Sequence, residues 1–343
     1  MNHGAIGPRR GVSPTELVDQ RIRWRAGLVS LVVAVALLLA KYQAWRMTGS
    51  TAVLSDALES IVNVIAAAFG LGGLLFAGIP ADRNHPYGHG KIEFIAAAFE
   101  GGLIAFAALL IVWEAIAAMI SGPSVRELDA GILIVAGAGV ANGALGWFLV
   151  RTGRRYRSLT LVADGQHVLS DFWTSVGIVI GLVLVKLTGE VWLDPVCAIV
   201  VAGWLLWTGV GLVRTAAGGL LDEEDPELLH QVTDLLGNRL GQGVIRVHHL
   251  RAIRAGRTPH ISAHLVVPEF WTVEKAHDLA EHLAARVQKE LGDGELTFHT
   301  DPCHRAYCAM CDVEACSVRV RAFNGRPALT IEEAVQPDRQ RLE

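Results

Sequence analysis

Charge is what this sequence has least of. Of its 343 residues 52% are hydrophobic and only 19% charged, whereas an ordinary soluble domain carries about a quarter charged residues. The deficit is local: charges crowd into the N-terminus, a few loops and everything after about residue 221. A membrane half followed by a soluble half is the natural division. The net charge is −4 and no extended basic stripe occurs, which gives no footing for nucleic-acid binding. No A-x-A-like cleavage site follows the N-terminal arginines, so Leu28–Ala40 reads as a retained first span rather than a signal peptide. No H-E-x-x-H zinc motif or other recognisable hydrolytic set is present, which argues against an enzyme. Cysteine is scarce as well, at five residues, and four of them (Cys303, Cys308, Cys311 and Cys316) fall within 14 positions. Such crowding is a poor disulfide framework and a good metal-ligand cluster, provided the compartment is reducing.

What is abundant is apolar sequence. Six segments of roughly bilayer-crossing length run at about 25–45, 52–78, 93–120, 129–150, 159–186 and 193–214. Small residues recur inside them, as in Gly70-Leu-Gly-Gly73 and Ala136-Gly-Ala-Gly139, and allow close helix packing in lipid. The N-terminus holds Arg9, Arg10, Arg21, Arg23 and Arg25. The second loop adds Arg83 and Lys91, and the fourth Arg151, Arg154, Arg155 and Arg157. Excess positive charge faces the cytoplasm, which places both termini and the even-numbered loops there. Beyond Asp222, Glu227–Leu240 reads as an amphipathic helix, Val244–Ile253 and His260–Val267 as strands, Val273–Leu291 as a second helix and Glu295–Thr300 as a third strand. The α-β-β-α-β order describes a small open-faced α+β domain. The expected organisation is a cytoplasmic segment 1–24, a six-helix transmembrane domain 25–215, a cytoplasmic α+β domain 222–302, and a polar, loosely ordered Cys-rich tail 303–343.

Two polar pairs interrupt the apolar spans at one-turn spacing: Glu59 with Asn63, and His167 with Asp171. An i, i+4 spacing puts both members on one helix face. An ionisable group at membrane depth costs ~3 kcal/mol or more to insert, so it lines an ion pathway or pairs with another. Two carboxylates, an imidazole and an amide suit a four-coordinate N/O metal site between two helices; the competing reading is a polar clamp that glues the bundle. His167 is the natural proton partner, since imidazole titrates where metal and proton compete. The second loop offers Asp82, His85 and His89 around turn residues, either a small metal site or a solvated loop with idle histidines. Nine of the thirteen histidines lie between His230 and His304. His248, His264 and His299 fall on or beside predicted strands and His277 on a helix. In the tail, Cys308-x-x-Cys311 flanked by Cys303 and Cys316 can close a tetrahedral Cys₄ shell.

These features together resemble the cation diffusion facilitator family, in particular its bacterial zinc-exporting branch, from Arg21 to Cys303. The most specific parts are His167-x-x-x-Asp171, the loop Asp-x-x-His-x-x-x-Gly-x-Gly at Asp82–Gly90, and His299-Thr-Asp-Pro-Cys303. The resemblance implies a transport site at Glu59, Asn63, His167 and Asp171 and a loop site at Asp82, His85 and His89. It also implies a cytoplasmic site at His248, His264, His277, His299 and Asp301 that bridges two protomers, and a Lys91–Asp222 charge pair interlocking them. The chain departs from the family's pattern in three ways. Position 59 is Glu where Asp or His is usual, and 63 is Asn where Asp is usual. His249 stands where an acidic residue is common, and the tail runs past the family's usual ending.

The expectation is therefore a homodimer in the inner membrane that exports Zn²⁺ against protons by alternating access. Zn²⁺ is both cargo and structural ion, and the lipid bilayer is the surroundings. The alternative cargoes are Fe²⁺, Co²⁺, Cd²⁺ and Mn²⁺, and the rival from another class is a membrane-anchored metal sensor.

Overall fold

The computed structural model of the chain describes residues 14–48, 51–121, 132–190, 192–291 and 294–337. It divides into two compact units, one ending at Leu220 and one beginning at Leu221. The first unit holds six helices: α1 (Pro14–Thr48), α2 (Thr51–Ala77), α3 (Ile92–Ser121), α4 (Ile132–Arg155), α5 (Leu159–Thr188) and α6 (Leu193–Leu220). Among the described residues four of them, α1, α2, α3 and α6, are long and apolar enough to cross a membrane by length and composition. The other two have 24 and 30 residues, about 36 and 45 Å at 1.5 Å per residue.

The first unit is built inside out. Many of its large apolar side chains face outward, with Trp113, Ile120 and Trp207 each more than 70% exposed, while alanines 66, 67, 96, 97, 108, 163 and 202 line its interior beside a few buried leucines such as Leu149, Leu161 and Leu205. That is the arrangement lipid demands: small residues let backbones approach, and bulky apolar ones meet acyl chains. Two crossings depend on glycine. A Cβ on Gly101 would lie 2.9 Å from the Gly209 carbonyl oxygen, joining α3 to α6. A Cβ on Gly165 would lie 2.9 Å from the Gly146 carbonyl oxygen, joining α5 to α4. Gly165 stands two residues ahead of His167, so this contact fixes the height of the polar pair on α5.

The ends of the site-bearing helices are explicit. Ser158 caps α5, its hydroxyl accepting from Leu161 N, and Gly189 at φ 79° closes it by donating to the Val185 carbonyl. At the same level Arg23 of α1 donates to Glu93 Oε1 at 2.8 Å, and Ser158 Oγ donates to Glu93 Oε2 at 2.5 Å. Arg23 and Glu93 are both buried; a buried ion pair of this kind is costly to break on one side, so it ties α1, α3 and the start of α5 together.

The second unit runs α7 (Pro226–Gly237), β1 (Arg246–Ala255), β2 (Thr258–Val267), α8 (Val273–Leu291), β3 (Glu295–Pro302), a 3₁₀ turn at Arg305–Met310 and α9 (Ile331–Val335). β2 lies centrally, antiparallel to β1 and parallel to β3. Alternation along β2, and along β1 on either side of a bulge after His248, sends Val247, Leu250, Ala252, Ile261, Ala263, Leu265 and Val267 into one core with the buried faces of α7 and α8. His248, His264, His299 and Asp301 are left on the opposite face.

The tail corrects the expectation of loose order. Arg319 donates to the carbonyls of Cys308, Cys311 and Val313, and Arg326 pairs with Asp312 and donates to the Leu240 carbonyl. Thr330 caps α9 by accepting from Glu333 N, and Ala334 is fully buried in the domain core. Guanidinium groups bonding backbone carbonyls organise a segment whose composition reads as loop.

Candidate metal centres

The intramembrane site is assembled by an asparagine. Asn63 on α2 donates from Nδ2 to Asp171 Oδ2 at 2.6 Å, and its Oδ1 lies 3.2 Å from His167 Nε2. With the amide oxygen turned to the imidazole, a hydrogen bond across this contact requires the His167 proton on Nε2, donated to Asn63 Oδ1. The i, i+4 pair on α5 is thereby spanned by one side chain from α2. The Glu59 side chain lies outside the described residues; its backbone falls on α2 one turn before Asn63. A cavity of about 20 Å³ adjoins the Asn63 amide and is lined also by Ser30, Lys41, Ser60 and Asn142. That is room for one water. A larger cavity of about 250 Å³ opens between α3, α5 and α6, one turn past Asp171, among Glu114, Thr174, Gly177 and Pro195.

Two carboxylates beside this trio escaped the reading of the sequence. Glu100 on α3 is fully buried and its Oε2 lies 3.9 Å from His167 Nδ1. Asp164 on α5 is 3% exposed. Neither Glu100 oxygen has a hydrogen-bond partner among the described residues, nor has Oδ1 of Asp164. The rule that picked out Glu59 and Asp171, an acid at membrane depth, picks out these two equally well. Asp164 even stands one turn ahead of His167.

The loop between α2 and α3 forms a compact three-donor group: ligand atoms of Asp82, His85 and His89 all lie within 4.8 Å of one another. Asp82 Oδ1 accepts from the backbone N–H of His85 at 2.7 Å and of Asn84 at 2.8 Å. The His85 backbone bond, first, holds its carboxyl below the usual aspartate range, with further help from the Asn84 bond and the His85 ring. The carboxylate is ionised at neutral pH. His89 is buried, with Nδ1 3.2 Å from the Ile79 carbonyl and Nε2 3.6 Å from Asp82 Oδ2. A backbone acceptor on Nδ1 fixes the tautomer whose Nε2 lone pair faces the carboxylate, as metal-binding histidines require. Gly88 takes φ +83° to turn the loop.

The cytoplasmic unit contains the second such group among the described residues, His248, His264 and Asp301, again with all ligand atoms within 4.8 Å. Strand register builds it: His248 pairs with His264 across β1–β2, and His264 with His299 across β2–β3. Asp301 Oδ2 lies 2.9 Å from His264 Nδ1 and 3.2 Å from His248 Nε2, and its Oδ1 lies 3.6 Å from His299 Nε2. Asp301 and His248 are buried while His299 is exposed. His249 joins the same face, its ring 5.0 Å from that of His264. Burial first, then the charges of His264 and Arg251, lowers its pKa below the usual imidazole value, against the raising effect of Asp301. A lowered pKa leaves the ring neutral and able to ligate.

The other positions expected to ligate metal are not gathered together in the chain. His277 is exposed on α8, the helix that covers the opposite face of the sheet. Cys308 and Cys311 are buried, Cys303 and Cys316 half-buried, and all are free thiols. Cys303 and Cys311 pack against Ile245, Val266 and Tyr307, but no three of the four sulfurs come within 4.8 Å of one another. Burial pushes the Cys303 thiol up. Lys91 lies just ahead of α3 in the first unit, and Asp222, at φ 59°, lies in the second.

A bundle of apolar helices with an N/O donor set at its heart, followed by an α+β domain that gathers histidines and a carboxylate, fits a membrane transporter of cations. The sequence comparisons agree. Residues 27–221, more than half of the chain, match the cation efflux transmembrane domain, and residues 225–303 match the cation efflux protein cytoplasmic domain. The chain belongs to the cation efflux, or cation diffusion facilitator, family, whose members are transporters of divalent metal rather than enzymes. It is 38% identical over 276 residues to the uncharacterized transporter sll1263 of Synechocystis sp., covering 80% of this chain and 89% of the relative. It is 29% identical over 284 residues to the cation-efflux pump FieF of Cronobacter sakazakii, covering 82% and 94%. To the FieF pump of Shewanella oneidensis it is 27% identical over 277 residues, covering 81% and 93%.

Proposed function

We propose that this protein exports Zn²⁺ from the cytoplasm in exchange for protons, as a homodimer in the inner membrane with both termini cytoplasmic, through a site made by Glu59, Asn63, His167 and Asp171. The observation that carries this reading is the hydrogen-bonded chain Asp171–Asn63–His167 across two helices of an apolar bundle. In it the ligands satisfy one another: the carboxylate accepts from the amide, and the amide oxygen accepts the Nε2 proton. A metal needs the same oxygen and the deprotonated nitrogen, so filling the site with metal and making these bonds are alternatives. Exchange of cargo for proton follows from that competition. Glu100 and Asp164 extend the acidic lining toward α3.

In this reading the loop group Asp82, His85 and His89 collects metal on the cytoplasmic side. The cytoplasmic group His248, His264, His299 and Asp301, completed by His277 of a second protomer, holds structural zinc, with Lys91 and Asp222 interlocking the protomers near the membrane. The thiols Cys303, Cys308, Cys311 and Cys316 form a scavenging element in the reducing cytoplasm. Fe²⁺, Co²⁺ and Cd²⁺ are the second reading, because the amide at position 63 leaves one formal charge fewer than two carboxylates would, and in an N/O shell metal availability can override zinc's higher intrinsic affinity. The same amide disfavours Mn²⁺. A sensor has no use for ligands at bilayer depth.

The test is flux. In reconstituted vesicles, Zn²⁺ uptake driven by a proton gradient disappears in Asp171→Ala while the dimer persists on size exclusion; undiminished flux would refute the site. Competition by the other metals identifies the cargo.

A further inference from the structure

β1 does not run as an ordinary strand past the cytoplasmic cluster. His248 pairs with His264, but the next pair is Arg251 with Ser262, so two residues of β1 face one of β2. The extra residue changes the parity. Val247 before it and Leu250 and Ala252 after it all point into the helix-covered core, and His248 and His249 fall side by side on the metal-ligand face. His249 takes φ 53° to do so, a left-handed conformation a non-glycine residue adopts at a cost of order 1 kcal/mol or more. Such a conformation persists only when its surroundings impose it.

The surroundings here are the C-terminal extension. The His249 backbone N–H donates to the Gln336 carbonyl at 2.9 Å, immediately after α9. On one side of the bulge Arg246 pairs with Glu333 and donates to the Pro327 carbonyl; on the other Arg251 donates to the Val335 carbonyl. α9 is anchored by Ala334 in the domain core. All these partners lie past residue 303, where the match to the family's cytoplasmic domain ends. Meanwhile the His264 ring sits among three others, at 5.1 Å from His248, 5.0 Å from His249 and 4.8 Å from His299. Four imidazoles and a carboxylate exceed the four donors one tetrahedral zinc takes.

We propose that His249 is an additional metal ligand of the cytoplasmic cluster, and that the C-terminal extension holds it there by accepting, at the Gln336 carbonyl, the hydrogen bond that the bulge donates. This rests on the reading of that cluster as a metal site. The extension then acts as a positioning element, so that metal occupancy and docking of α9 reinforce each other.

The experiment is equilibrium dialysis against Zn²⁺ of the full-length protein in detergent micelles, with Asp82→Ala, Asp171→Ala, Cys303→Ser, Cys308→Ser, Cys311→Ser and Cys316→Ser throughout to silence the loop, membrane and thiol sites. His249→Asn keeps a residue at ease in the left-handed region and removes the imidazole; His249→Gly does the same with no side chain. Each is expected to weaken the tightest cytoplasmic binding by at least about tenfold, as is a chain ending at Leu329. Combining truncation with His249→Asn is expected to cost no more than the worse of the two, because both remove one contribution. His264→Ala is the control. If it leaves zinc binding untouched, the reading of the cluster fails. If it weakens binding while His249→Asn and His249→Gly match the parent, the cluster stands and the inference is overturned. Additive losses overturn the role given to the extension.

Discussion

The intramembrane trio and the cytoplasmic cluster are made from the same donor types but held in opposite ways. In the cytoplasmic unit three adjacent strands place His248, His264 and His299 in one row, and Asp301 follows from the same register. Moving one ligand means moving a strand. In the membrane, His167 and Asp171 ride on α5 while Asn63 rides on α2, and hydrogen bonds through a single amide span the gap. Sliding or tilting one helix opens that site without breaking any helix. A resident metal wants the first arrangement and a cargo the second.

The largest expected effect follows directly. Asp171→Ala reduces proton-driven Zn²⁺ flux in vesicles to background, whereas His264→Ala keeps measurable flux and loses metal from the cytoplasmic unit. Flux that survives Asp171→Ala but not His264→Ala would invert the assignment of cargo and resident sites.

Next in size is the response to metal removal. A preformed cluster binds metal in the folded state only, so zinc at one hundred times its dissociation constant adds about 2.7 kcal/mol to the stability of the cytoplasmic unit. Chelation is expected to remove that gain, read as faster amide exchange across β1 and β2. The same chelation is expected to leave exchange in α2 and α5 nearly unchanged, since Asn63 already bonds both Asp171 and His167 without metal.

How much of this contrast was legible beforehand differs between the two regions for physical reasons. An i, i+4 pair is a statement about helix geometry alone, so His167 and Asp171 could be placed on one face from spacing. Glu100 and Asp164 obeyed the same rule and went unmarked. The partnering of Asn63 with both α5 residues depends on how α2 packs against α5, which spacing does not contain. On the sheet, alternation finds His264 and His299, but the bulge at His248–Arg251 reverses parity, and the bond that stabilises it comes from Gln336, 87 residues on. The order of the tail was hidden because its partners are backbone carbonyls, which every sequence has.

Asn63→Asp sharpens the comparison from the membrane side. The amide donor 2.6 Å from Asp171 becomes a second carboxylate, so the metal-free site loses its internal bond and gains like-charge repulsion that a cation relieves. Metal affinity is expected to rise about tenfold, with cargo preference moving toward harder ions including Mn²⁺. Competition flux assays read both. Unchanged preference would mean that the amide bridge does not set the cargo.

The smallest effect probes the frame of the cytoplasmic cluster. Asp225 caps α7 by accepting from Leu228 N at 2.9 Å and pairs with Arg254 of β1. Burial raises its pKa, but the Leu228 bond and Arg254 outweigh it, and the net shift is downward from 3.8. Because the folded value is the depressed one, the carboxylate's contribution is fully present above the ordinary aspartate pKa and is lost only as pH falls below it. At pH 7 Asp225→Ala is therefore expected to cost about 1 kcal/mol, the usual worth of a cap, seen as faster amide exchange in the first turn of α7. At pH 3 the gap between variant and parent narrows. α7 packs on the face of the sheet away from His264 and Asp301, so a cluster held by strand register keeps its zinc affinity within about twofold when the cap is lost. A larger loss of affinity would mean that the helix layer, not the register, holds the ligands in place, and the distinction between a rigid resident site and a yielding cargo site would no longer rest on the sheet.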